Sequence, residues 1–95
     1  MLLFRVNDGE LMSSFGSIGR NPNDIVIDSD GTIYVADRGN NRICVFGAGG
    51  GDMKFSWGSK GTADGQFESP ATLALSQGKL YVLDINSSRV QVFRV

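Results

Sequence analysis

Short runs of apolar and β-branched residues, each closed by a cluster of glycine, asparagine, aspartate or serine, follow one another along the chain. Ile25-Val26-Ile27 runs into Asp28-Ser29-Asp30-Gly31, a turn signal. Residues 32–36 are β-rich and meet a second turn signal, Asp37-Arg38-Gly39-Asn40-Asn41. Residues 42–46 form a third run, 47–52 a glycine-rich connector, and 53–57 a fourth run. No segment carries a sustained helical period, so the pattern predicts strands throughout.

The pattern then repeats. Set 22–46 against 70–93, and Pro22 aligns with Pro70, Ile25 with Leu73, Ile27 with Leu75 and Gly31 with Gly78. Tyr34-Val35 aligns with Tyr81-Val82, Asp37 with Asp84, Arg42 with Arg89 and Phe46 with Phe93. The offset is 48 before the first turn and 47 after it, so the second copy lacks one turn residue. Units of ~40–50 residues are the size of propeller blades. Phe4-Arg5-Val6 repeats the closing Phe93-Arg94-Val95, and 11–15 resembles 53–57, so the chain opens partway through a further unit. Nine strands are predicted: third and fourth of one blade, four of the next, and first to third of another.

These residues resemble the NHL repeat, a blade of six-bladed β-propellers. The shared pattern is Pro22, the run Ile25-Val26-Ile27-Asp28, a turn with Gly31, Ile33-Tyr34-Val35-Ala36-Asp37, and Arg42-Ile43 through to Phe46. The second copy departs from it at Ser76 and at Leu83-Asp84-Ile85. The Gly65-Gln66-Phe67 approach to Pro70 also fits. The resemblance implies an all-β propeller segment: 1–21 the end of a blade, 22–57 a first blade, 58–95 a second. Within the family, the wording is most similar to animal tripartite-motif proteins that end in NHL propellers. That likeness implies a recognition module in a ubiquitin-pathway setting, binding a protein partner or RNA.

Covered on both faces, propeller strands should be apolar on both sides. Ile25, Ile27, Ile33, Val35, Ile43 and Val45, with Leu73, Leu75, Leu80, Val82, Val90 and Val92, are the expected core, and Tyr34, Tyr81, Phe46 and Phe93 join it between blades. Gly31 and Gly78 supply turn positions that need positive φ. Asp37 and Arg42, and likewise Asp84 and Arg89, are five residues apart across a turn, so each carboxylate can meet its guanidinium across adjacent strands or cap turn amides. Recurrence in both copies assigns these pairs to the blade rather than to one active site. Trp57 is either outer-strand packing or an exposed anchor.

Composition narrows the chemistry. Nine Lys+Arg against ten Asp+Glu leave a net charge of −1 over 95 residues, which excludes a long basic nucleic-acid tract. One cysteine, Cys44, excludes a disulfide framework, and its thiol reads as passive. Histidine is absent, which removes His-based triads and His-ligated zinc, and with Cys44 alone no zinc-binding RING fits. No apolar run nears the ~18–20 residues of a membrane helix, and no export signal is visible, which points to the cytoplasm. No cofactor is expected. Asp28-Ser29-Asp30-Gly31 lacks the distal ligands of a calcium loop, and the glycines at 47–51 lack the Lys-Ser/Thr of a phosphate loop.

On the family pattern, the loops 16–23, 38–41, 58–69 and 85–88 share one end of the blades. Their basic residues Arg20, Arg38 and Lys60 form the candidate binding face, with Asp64 and Glu68 beside Lys60. A protein partner ranks above RNA because of this mixed charge. The alternative is a fragment of a propeller enzyme, lactonase- or lyase-like and metal-dependent. The missing histidines count against the lyase, and Asn23 and Asp24 are the oxygen donors nearest to a lactonase set. A purely architectural blade pair is the third reading. Three chains would supply six blades but 27 strands where a ring uses 24, so a piece of a longer propeller is favoured over a three-chain ring.

Overall fold

The computed structural model describes residues 2–4, 11–14 and 21–95. It is all-β. Strands β1 (Leu2–Phe4) and β2 (Leu11–Ser14) pair with each other. Strands β3 (Pro22–Ile27), β4 (Ile33–Asp37), β5 (Arg42–Phe46) and β6 (Met53–Trp57) form a four-stranded antiparallel meander. Strands β7 (Pro70–Ser76), β8 (Lys79–Asp84) and β9 (Arg89–Arg94) form a three-stranded one. The four-stranded and three-stranded sheets are antiparallel meanders of the propeller-blade type.

The sequence repeat is also a backbone repeat. Pro22 pairs with Asp37 and Pro70 with Asp84, and in each case the register shifts just after the proline. A proline at the first residue of a strand leaves the ladder intact, because its missing N–H falls outside it. Arg38 N donates to Asn21 O at 3.2 Å, and Ile85 N donates to Ser69 O at 3.1 Å, the same bond in each unit.

The one-residue difference between the copies changes the turn. In the longer β3–β4 turn, Asp28 Oδ1 accepts from Asp30 N and Thr32 N at 2.9 and 3.0 Å, and Tyr34 Oη donates to Oδ2 at 3.3 Å. Gly31 there has φ 86°, and a Cβ would lie 2.9 Å from the Ala48 methyl. In the shorter β7–β8 turn, Ser76 pairs with Lys79 across Gln77 (φ 51°) and Gly78 (φ 74°). Two positive φ angles in a two-residue loop match the right-handed strand twist.

The core lies between the two sheets. Tyr34, Ala36, Ile43 and Val45 of the first meet Leu73, Leu80 and Val82 of the second and Phe67 of the connection between them, with Val26, Trp57, Leu75 and Phe93 at the margin. Ile33, Val35, Cys44 and Phe46 are buried on the opposite side of the first sheet, with Met53 against them. Strand β4 is therefore buried at every position, as a doubly covered strand should be. The expectation of two covered faces fails elsewhere. Ile27, Val90 and Val92 are 53%, 56% and 51% exposed, and Ile25 and Leu83 are exposed too. Two sheets share one interface, so the far side of β7–β9 has no cover among the described residues. Strand β9 alternates half-buried and exposed instead.

Candidate functional site

Three connections lie at one end of the sheets: 38–41 after β4, 58–69 after β6 and 85–88 after β8. The meander topology dictates this, since every second turn falls on the same edge. The first two connections touch, because a Cβ on Gly58 would lie 2.9 Å from Asn41 O.

The 58–69 loop is built as part of the fold. Phe67 is fully buried, its ring 5.9 Å from that of Phe93. Phe67 N donates to Ser59 O at 2.9 Å, Gly61 N donates to Phe67 O at 3.1 Å, and Lys60 bridges Phe67 in parallel. Gln91 on β9 holds the loop from beneath: Gly65 N donates to its Oε1 at 2.8 Å, and its Nε2 donates to Gln66 O at 2.7 Å.

The repeated Asp and Arg residues act differently in the two units. Asp37 is fully buried. Its Oδ2 accepts from Arg42 Nε at 2.7 Å and Asn40 Nδ2 at 3.0 Å, and Cys44 Sγ lies 3.7 Å away. The Asp37 bond raises the Arg42 pKa further above its ordinary value. In the second unit the cross-strand meeting is replaced. Asp84 accepts from Glu68 N at 2.9 Å and Ser69 N at 2.7 Å, while Arg89 Nη2 donates to Ala63 O and Gln66 O, both at 2.9 Å. Each partner is drawn to the loop. Burial works against the Asp84 charge, but the Glu68 and Ser69 amides, together with the Ser87 side chain and the Arg89 charge, outweigh it and hold the carboxyl below its usual range.

Of the basic residues expected on this edge, Arg38 and Lys60 are exposed, with exposed Asp64 between the loop's ends. Arg20 lies outside the described residues. Asn23 and Asp24 converge on backbone. Asn23 Nδ2 donates to Ala71 O at 2.8 Å, and Asp24 Oδ2 accepts from Leu73 N at 2.7 Å while its Oδ1 accepts from Ile25 N. They tie β3 to β7. The second copy has Ala71 and Thr72 at these places, and that difference is the sequence signal for the tie. No group of three or more Cys, Asp or Glu fit to hold a metal ion occurs among the described residues.

Trp57 is half-buried, 5.3 Å from the Phe93 ring and 6.2 Å from Phe55. Together they line a groove of about 360 Å³ between β6 and β9, with Lys54 and Arg94 on its rim.

Cys44 is fully buried, and burial pushes its thiol up to about 11. At neutral pH it is protonated and shielded, so iodoacetamide is expected to leave it unmodified in the folded chain. Labelling should begin only as urea unfolds the sheets, with its midpoint matching the far-UV signal. Rapid labelling in buffer would contradict the burial.

The profile of the NHL repeat matches residues 20–46. The Homo sapiens protein described as NHL repeat-containing protein 3 is 37% identical over 73 residues, 75% of this chain and 20% of that protein. The chain thus spans a fifth of the length of the relative it matches.

Proposed function

We propose that this chain, which carries an NHL repeat, is a non-enzymatic recognition module that docks a protein partner on the edge formed by 38–41, 58–69 and 85–88. One observation carries the reading. The long loop is fixed to the scaffold through Phe67, Gln91, Arg89 and Asp84, while Arg38, Lys60 and Asp64 project from the same edge. A loop held in one conformation has little entropy left to lose on binding. The carboxylates a reaction would call on are engaged by backbone: Asp24 with Leu73 N and Ile25 N, Asp84 with Glu68 N and Ser69 N. Mixed charge on the edge favours a protein surface of alternating sign. The likeness to tripartite-motif propellers in a cytoplasmic, ubiquitin-pathway setting belongs to this reading. Among the described residues no helix is long and apolar enough to cross a membrane.

RNA is the second reading, with Arg20, Arg38 and Lys60 contacting phosphates. A titration of single-stranded RNA at two salt concentrations separates the two. Protein docking expects weak RNA binding that the Arg20→Ala/Arg38→Ala/Lys60→Ala variant does not change, and capture of a protein partner that survives nuclease. RNA affinity that falls steeply with salt and drops tenfold or more in the triple variant would overturn the protein reading in favour of RNA.

A further inference from the structure

The turn between β8 and β9 breaks a local rule that its counterpart obeys. Residues 38–41 read Arg38-Gly39-Asn40-Asn41, and the equivalent 85–88 read Ile85-Asn86-Ser87-Ser88. Both turns end on a left-handed residue: Asn41 at φ 53° and Ser88 at φ 55°. Asparagine visits this region comparatively readily, whereas most residues with a Cβ avoid it. Serine at 88 is therefore the less comfortable choice, and no ladder or core contact calls for it. Gln77 takes the same region in the β7–β8 turn at φ 51°, so the backbone angle alone does not single out Ser88.

Serine at 88 does complete one pattern. Asn86-Ser87-Ser88 is an Asn-x-Ser acceptor sequence with no proline at the middle place. Asn7, Asn21, Asn23, Asn40 and Asn41 have no hydroxyl residue two places on. Asn86 is exposed at the tip of the turn, and its carboxamide makes no hydrogen bond to any described residue. By contrast Asn40 Nδ2 is held by Asp37.

We infer that Asn86 is an acceptor for an N-linked oligosaccharide when the chain passes through a secretory lumen. The co-reactant is an oligosaccharide on a polyprenyl diphosphate. The Asn86 amide nitrogen bonds to the anomeric carbon, and the bond from that carbon to the diphosphate oxygen breaks. The diphosphate leaves with the electron pair, and one amide proton passes to a base of the transferring enzyme. The inference stands apart from the docking reading and puts a luminal setting in place of the cytoplasmic one; it is read out by mass and not by binding.

The test expresses the full chain behind a cleavable secretion signal in animal cells, with a known secreted glycoprotein co-expressed as control. Intact mass is measured before and after peptide-N-glycosidase. One glycan is expected, removed by the enzyme with a carboxylate left at position 86. Asn86→Gln should abolish it. Ser88→Asn is the sharper variant: it destroys the acceptor sequence but restores the residue type found at Asn41. That variant should lose the glycan entirely while its melting temperature stays the same or rises. A wild-type chain left bare while the control is glycosylated overturns the inference. So does a glycan that survives Ser88→Asn.

Discussion

Phe67→Ala is expected to lower the stability of the chain by about 3–5 kcal/mol, the usual range for emptying a buried aromatic site. Against a total of about 5–15 kcal/mol for a domain, that removes between about a fifth and all of the stability. The reason is the position of the ring. Phe67 is fully buried although it belongs to a connection, and it packs among Leu73, Leu80, Val82, Ile43 and Val45. The surrounding chain is shaped to it. Gly58 adopts φ 110°, and a Cβ there would lie 2.7 Å from the Phe67 ring, so the loop starts with the one residue that leaves room. The cavity would not collapse readily, because Gln91 and Arg89 hold the loop backbone above it. Urea unfolding measures the loss. A decrease below about 1 kcal/mol would show that the ring is not a core element. Phe67→Leu, which retains most of the apolar volume, should lie well inside that loss. In whatever fraction remains native, the amides of 59–66 should exchange faster in Phe67→Ala, because the anchor of the loop is gone.

That anchor explains which features were legible in the sequence. Strand positions, the repeat and the first Asp–Arg pair depend on neighbours within one hairpin, and such neighbours leave a local pattern. Ile33 to Asp37 and Arg42 to Phe46 meet residue for residue as the alternation requires. The loop does not work locally. Gln91 aligns with Cys44, and nothing in the strand pattern says that its carboxamide bonds a loop 25 residues away. Asn23 and Asp24 reach 48 and 49 residues to the next blade's inner strand, where they meet backbone groups that leave no mark on sequence. Phe67 was visible as part of Gly65-Gln66-Phe67, but a phenylalanine among glycines and charges reads as loop until its partners across the interface are known. The exposure of Val90 and Val92 has the same origin: alternation shows which side chains share a face, not whether that face is covered.

Replacing Asp84 tests the polar half of the same anchor. Its carboxylate is fully buried and accepts two backbone amides, from Glu68 and Ser69. Asp84→Ala leaves both donors without an acceptor in a site closed to water. At about 1–3 kcal/mol for each of the two orphaned groups, the expected loss is about 2–6 kcal/mol. Asp84→Asn keeps the shape but turns an N–H toward one of the amides, so its loss should be nearly as large. The pH dependence separates this from simple packing. Because the folded carboxyl titrates below its ordinary 3.8, the charge contributes stability that is complete above pH ~4 and fades as pH falls toward the folded value. Wild-type stability should therefore drop on acidification through this window, and Asp84→Asn should flatten part of that drop while lying below wild type at pH 7. Asp37 offers the internal contrast. Its Oδ2 is held by Arg42 and Asn40 side chains, so Asp37→Asn disturbs an ion pair on one edge and leaves the 58–69 loop in place. Amide exchange at Glu68 and Ser69 should rise in the Asp84 variant alone. Equal rises in both variants would mean that the loop is held by the fold as a whole and not by this carboxylate.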